Sequence, residues 1–357
     1  MYSERPLVVT ADPDVLDDLL RLAATAGVDI DVAPDAGVAR RSWASAPFVV
    51  VGPDAVDRCA RGRLPRRASV ALLGRDLDDA GIWQDAVAIG AEHVIFLPDA
   101  EGWLVEAFSD AAEGTPGEGV LVAVLGGCGG AGATSLACAL AVSAVRGGRQ
   151  ALLVDGDPLG GGIDLVFGGE QEAGLRWPDL GATRGRVPAA ALALALPRLQ
   201  DLSVLSWDRG EAAVVPAEAM QAVLAAGRRT NELVVVDLPR HLDEAAREVL
   251  AQATTTLLVL PAEVRAAAAA ARVAAATGVV CRDMRVIVRG PGPSGLAAAE
   301  IARALGLPLA GVLRPEPGLD LALERGEPPG RKQRSPLGIL CDVLLADLLP
   351  EVRGRAA

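Results

Sequence analysis

The sequence predicts an α/β protein built as two domains in tandem, each a mostly parallel sheet flanked by helices. Three observations carry that expectation. Short apolar runs alternate with helical patterns along most of the 357 residues, the arrangement that gives parallel strands joined by crossover helices. A small, polar segment rich in Gly and Pro, Glu113-Gly-Thr-Pro-Gly-Glu-Gly119, separates two patterned halves. The second half opens with an apolar run, a glycine-rich turn and an alanine-rich helical pattern, and in such a unit backbone N–H groups and a helix N-terminus can surround a phosphate.

In the first half, strand-like runs fall at Leu7–Thr10, Phe48–Val51, Ser69–Leu73 and His93–Leu97, with helical patterns at Val15–Ala26 and Trp103–Ala112. After the boundary, strands are expected at Val120–Leu125, Ala151–Val154, Ser203–Leu205, Leu233–Val236, Thr256–Leu260, Arg285–Val288 and Ala310–Leu313. Ala262–Thr277 is a helix by propensity. Leu337–Leu349 reads as a core helix carrying Ile339, Leu340, Val343, Leu344 and Leu348. The expected limits are residues 1–113 for the first domain, 114–119 for the linker, 120–350 for the second domain and 351–357 for a short tail.

Composition narrows the class. With 51% hydrophobic and 22% charged residues the chain has enough apolar surface to fold, and at 3% aromatics its cores must be built from Val, Leu, Ile and Ala. A net charge of −12 argues against a surface that attracts nucleic acid as a whole. Five cysteines (59, 128, 138, 281, 341) have neither metal spacing nor a disulfide pattern, and no apolar stretch of about 20 residues occurs. A cytoplasmic protein is expected. The tail after Pro350 is too short for an amphipathic membrane anchor. Arg331-Lys-Gln-Arg334, His93 and His241 read as surface or loop positions, and Cys128 as a small-residue replacement.

The decisive stretch is Leu125-Gly-Gly-Cys-Gly-Gly-Ala-Gly-Ala-Thr-Ser135. In the pattern GxxxxGK(S/T) the lysine reaches the outer phosphates and the hydroxyl binds magnesium. Here Gly127 to Gly132 supply the glycine frame, Ala133 stands at the lysine position and Thr134 at the hydroxyl position. The only lysine of the chain is the distant Lys332. Carboxylates end two later strands, where open α/β sheets place ligands. Asp155 and Asp157 leave one strand two residues apart, and Asp237 ends Leu233-Val-Val-Val-Asp237. Magnesium takes one or two carboxylates, phosphate oxygens and water, so Thr134, Asp155 and Asp237 are the candidate metal shell. Backbone groups of Gly129, Gly130, Ala131, Gly132, Ala133, Thr134 and Ser135 are the candidate nucleotide cradle.

In order and spacing these elements resemble the MinD/ParA family of septum-positioning and partitioning ATPases, whose deviant Walker A loop reads KGGxGK(S/T)(S/T). The resemblance implies a P-loop ATPase-like domain with Mg–ATP as its ligand. Cys128 and Ala133 stand in place of the two family lysines, one acting across a nucleotide-sandwich dimer and one cradling phosphate. Asp157 matches the residue that orients the attacking water, and Asp237 the Walker B aspartate. The first half resembles a response-regulator receiver domain, of flavodoxin-like fold, through Ala11-Asp12, Gly90-Ala91 and Leu97-Pro98. The phosphoacceptor position falls near Gly52 and the receiver lysine is Leu97, so an unphosphorylated interaction module is expected. A degenerate receiver fused to such an ATPase-like domain is the arrangement of the CpaE/TadZ pilus-assembly localisation proteins and the actinobacterial septum site-determining (Ssd) group.

That resemblance implies a homodimer that acts as a spatial regulator of septum placement or of pilus or secretion machinery. Its partners would be proteins at a pole, septum or secretion complex, which recruit it from the cytoplasm; nucleic acid is not expected. A charge-assisted hydrogen bond contributes roughly 1.5–3 kcal/mol, so the lost lysine weakens phosphate binding by about one to two orders of magnitude. Hydrolysis suffers more than binding, because the transferring phosphoryl group needs cations. An arginine such as Arg240 or Arg265 is a conceivable substitute. Two alternatives stay open: a nucleotide-independent scaffold of the same fold, and an active partitioning ATPase.

Overall fold

A computed structural model describes residues 5–62, 64–74, 81–112, 119–181, 187–210, 214–293 and 295–349. The chain divides into two compact units, residues 1–116 and 117–357. The expected linker at 114–119 lies outside the described residues except for Gly119, and the tail at 351–357 lies wholly outside them.

The first unit runs β1 (Leu7–Val9), α1 (Pro13–Thr25), β2 (Asp31–Ala33), α2 (Ala36–Trp43), β3 (Val49–Val51), α3 (Val56–Arg61), β4 (Val70–Gly74), α4 (Ile82–Ile89), β5 (His93–Phe96) and α5 (Glu101–Ala112). Its strands are parallel and ordered β2-β1-β3-β4-β5, the flavodoxin-like arrangement. Alternate residues feed two separate layers. Leu7, Val9, Val49, Val51, Val70 and Leu72 pack against α2, α3 and α4, whereas Val8, Val50, Ala71 and Leu73 pack against α1 and α5. Asp12 starts α1 by accepting hydrogen bonds from the Asp14 and Val15 N–H groups ahead of Pro13 in the first turn.

The second unit runs β6 (Val120–Gly126), α6 (Ala133–Arg146), β7 (Ala151–Asp155), α7 (Ile163–Val166), α8 (Trp177–Leu180), α9 (Ala189–Ala195), β8 (Arg198–Leu199), β9 (Leu202–Leu205), α10 (Ala217–Thr230), β10 (Leu233–Leu238), α11 (Glu244–Gln252), β11 (Thr255–Pro261), α12 (Val264–Thr277), β12 (Met284–Arg289), α13 (Ala298–Leu305), β13 (Leu309–Leu313), α14 (Leu319–Glu324) and α15 (Pro336–Leu348). The strand order is β13-β12-β11-β6-β10-β7-β9-β8, parallel throughout except for the β8–β9 pair. Here too the strands are two-faced. Leu121, Ala123 and Leu125 join the layer under α10, α11 and α12, while Val122 and Val124 join the layer under α6 and α15.

Two strands escape the sequence pattern. The edge strand β2 spans only three residues and begins on a charged one, and β8 is a two-residue antiparallel return. The core reading of the last helix needs one correction. Leu337, Leu340, Cys341 and Leu344 form its buried stripe, but Ile339 and Val343 are 55% and 59% exposed. They fall four residues apart on the outward side, a face that apolar composition alone does not distinguish.

Candidate functional site

The glycine loop joins the buried β6, at the middle of the sheet, to α6. Gly130 and Gly132 have φ of +66° and +95°, conformations natural only to glycine, and Gly132 is the N-cap of α6. Gly127 donates its N–H to the Val259 carbonyl at 2.8 Å, which ties the loop to β11. From Gly129 to Ser135, no N–H has an acceptor among the described residues. Seven successive donors therefore surround the start of a 14-residue helix whose dipole is positive at that end. Ala131 contributes only its backbone, since its side chain is buried in the layer containing Leu136.

Neighbouring strands bring carboxylates to the same end of the sheet. In the parallel β7–β10 ladder Asp155 and Asp237 are direct partners. The Thr134 hydroxyl donates to Asp237 Oδ2 at 2.7 Å, so the loop hydroxyl and the strand carboxylate meet. Burial pushes the Asp237 carboxyl up to about 7, opposed by the Thr134 hydrogen bond and reinforced by the charges of Asp155 and Asp157. Asp155 is likewise pushed up to about 6, chiefly by burial.

The two carboxylates differ in what they already hold. Asp155 Oδ2 accepts from Ile163 N at 2.9 Å and Ser206 Oγ at 3.0 Å, and Oδ1 accepts from Asp157 N at 3.2 Å. Its carbonyl accepts from Trp177 Nε1 at 2.6 Å. Asp155 thus secures the loop after β7. Asp157 accepts from Leu159 N at 3.0 Å within the same loop. Asp237 has Thr134 as its side-chain donor among the described residues, which leaves Oδ1 open. No group of three or more His, Cys, Asp or Glu able to hold a metal occurs among the described residues. For an ion that arrives with phosphate oxygens and water of its own, Thr134 and Asp237 would be the protein ligands best placed.

Charge at the rim comes from two arginines. Arg240 Nη2 lies 3.8 Å from the position a Cβ would take on Gly129, and Arg289 Nη1 lies 3.8 Å from that position on Gly132. Arg240 was a candidate on sequence; Arg265 has no atom within 4 Å of these outward positions at Gly129, Gly130 or Gly132. Arg289 is a rim residue that the sequence reading did not single out. Its signal, a cation closing the apolar strand Met284–Arg289, becomes meaningful only once β12 is known to lie two strands from β6. His241 is exposed, and Arg331 and Lys332 line a separate cavity of about 310 Å³ with Glu316 and Glu327.

The corresponding corner of the first unit is closed. Asp54 turns back to accept from Thr10 Oγ1 at 2.6 Å and Ala11 N at 2.8 Å, and pairs with Arg58 at 3.2 Å. A Cβ on Gly52 would fall 2.7 Å from Asp54 Oδ1 and 2.8 Å from Thr10 Oγ1, so these groups occupy the space a side chain there would need.

Comparison with known proteins agrees with both halves. Residues 9–119 match the family model described as "Rv3660c-like, CheY-like N-terminal domain". Uncharacterized protein Rv3660c of Mycobacterium tuberculosis H37Rv, and MT3760 of strain CDC 1551, are each 43% identical over 319 residues, covering 88% of this chain and 90% of theirs. The chain belongs to the Rv3660c-like family. Its second unit has the fold of MinD/ParA proteins. A ParA family ATPase from Chlorobium tepidum superposes with TM-score 0.57 at 14% identity, over 64% of this chain and 98% of that one. The MinD cell division protein of Aquifex aeolicus gives 0.53 at 24% identity, over 63% and 95%. The Rv3660c-like chain thus joins a CheY-like domain to a MinD/ParA-like one, and among its described residues no helix is long and apolar enough to cross a membrane.

Proposed function

We propose that this chain is a spatial regulator of the CpaE/Ssd type, which sets where septum, pilus or secretion machinery assembles. Its C-terminal unit keeps a Mg–ATP site that binds nucleotide and hydrolyses it poorly. One observation carries this reading: the 2.7 Å contact of Thr134 with the buried Asp237, beside seven open backbone donors. Thr134 and Asp237 would hold the metal, Gly129 to Ser135 the phosphates, and Asp155 the loop behind them. The ion would neutralise phosphate charge when bound. Asp157 would orient the attacking water, but with Cys128 and Ala133 in place of the lysines the phosphoryl group lacks its usual loop cations. A homodimer formed at this face, and protein partners docked on the receiver-like half (residues 1–113, joined by the linker 114–119), complete the proposal. Its structural neighbours, a MinD cell division protein and a ParA family ATPase, are in keeping with it.

The same loop composition favours a second reading, a scaffold of the same fold that works without nucleotide. A fluorescent fusion in cells separates the two. The regulator reading expects a localised focus that disperses with Thr134→Ala, and the scaffold reading expects the focus to persist. Phosphate release by the purified chain at rates of the order of 1 per second or more, within the range of working phosphoryl-transfer enzymes, would contradict the poor-hydrolysis claim.

A further inference from the structure

We infer that Arg289, from β12, and Arg240, from the segment after β10, supply the two cations that the glycine loop lacks, and that the site takes the polyphosphate of a nucleoside triphosphate through them. The inference rests on the nucleotide reading above and names how the site binds. Outward from Gly129 the nearest group is Arg240, and outward from Gly132 it is Arg289; apart from the glycines and their chain neighbours, no other atom among the described residues lies within 4 Å of either position. Gly129 follows Cys128, which stands in place of one family lysine, and Gly132 precedes Ala133, which stands in place of the other. A guanidinium therefore lies beside the glycine next to each of these positions.

Neither guanidinium is engaged elsewhere among the described residues. Arg146, Arg149, Arg176, Arg209 and Arg285 all form ion pairs, whereas Arg240 and Arg289 have no acidic or hydrogen-bonding partner among the described residues. Asp155 and Asp237 are partners at one end of the sheet, with Asp157 just beyond, and without cations this cluster would repel a polyphosphate. Arg289 is also well held. Its backbone pairs in register with Pro261 on one side and Leu313 on the other, and its carbonyl accepts from Ala262 N at 2.8 Å. Arg240 stands two residues beyond β10, the strand adjoining β6 on the opposite side. A planar guanidinium can donate two parallel hydrogen bonds to phosphate oxygens, so an arginine at the rim can do what a loop lysine does from within.

The test titrates a fluorescent ATP analogue with magnesium into the full-length chain and into Arg289→Ala, Arg289→Lys, Arg240→Ala and the double alanine variant, with adenosine and tripolyphosphate as competitors. Arg289→Ala should weaken the triphosphate about 10- to 100-fold, Arg240→Ala about 3- to 10-fold, and Arg289→Lys by less than Arg289→Ala. Competition by adenosine should be unchanged, competition by tripolyphosphate should fall with the analogue's affinity, and each variant should melt as the wild type does. Wild-type binding that survives in the double variant within about two-fold overturns this inference and leaves the nucleotide reading standing. Equal loss of adenosine and triphosphate in Arg289→Ala overturns the charge role. No binding by the wild type at millimolar nucleotide overturns both.

Discussion

At the level of single residues, Asp237 is the position where folding and binding pull against each other. A carboxyl 5% exposed and beside Asp155 is costly to ionise, and burial pushes its pKa up to about 7. A folded-state value above the unfolded one means that stability is greatest at low pH and declines as pH rises from about 4 through about 7, because the native state gives up its proton reluctantly. The same holds for Asp155, whose decline ends near pH 6. Asp237→Asn keeps an acceptor for Thr134 and removes the ionisation. Its melting temperature should match wild type near pH 4 and exceed it at pH 8, by the equivalent of roughly 2–4 kcal/mol. Parallel melting curves for the two proteins across that range would show that Asp237 is not held in this state. The buried thiols are quiet by comparison: Cys59 and Cys341 are pushed up to about 11 and about 12, mainly by burial, and burial likewise drives Cys138 well above the ordinary range.

At the level of elements, the glycine loop is shaped by what packs against it as much as by what it could bind. A Cβ on Gly127 would fall 2.6 Å from the Ala270 side chain and 3.2 Å from its Cα, so α12 seals the back of the loop and leaves no room for a side chain. Gly127→Ala should therefore destabilise the second unit by about 1–3 kcal/mol through displacement of α12. An unchanged melting temperature would mean that α12 is not seated there. This packing also marks the limit of what the sequence conveys. The Val- and Leu-rich runs that became β6, β7, β10, β11 and β12 were legible because buried parallel strands need continuous apolar residues. Thr134 meeting Asp237 was legible because both end apolar strands or open helices at one edge of such a sheet. The exposed Ile339–Val343 face and the short β2 and β8 were not, since these depend on neighbours rather than on composition. Arg289 was hidden for a similar reason: its nearness to Gly132 follows from strand order β12-β11-β6, which no local pattern encodes.

At the level of the whole molecule, each unit carries its own pair of apolar layers, one on each side of its sheet. A fragment of residues 117–357 should accordingly unfold in one cooperative transition and bind Mg–ATP with the affinity of the intact chain. A fragment that is molten, or binds more than about ten-fold weaker, would show that the CheY-like half is needed to build the site. The altered loop is proposed still to take Mg–ATP. Isothermal titration of full-length protein with Mg–ATP, beside Thr134→Ala and Asp237→Asn, addresses that point most directly. Saturable heat from the wild type, lost or weakened at least ten-fold in both variants, is the result expected; a folded wild type that gives no heat at millimolar Mg–ATP would contradict the nucleotide site.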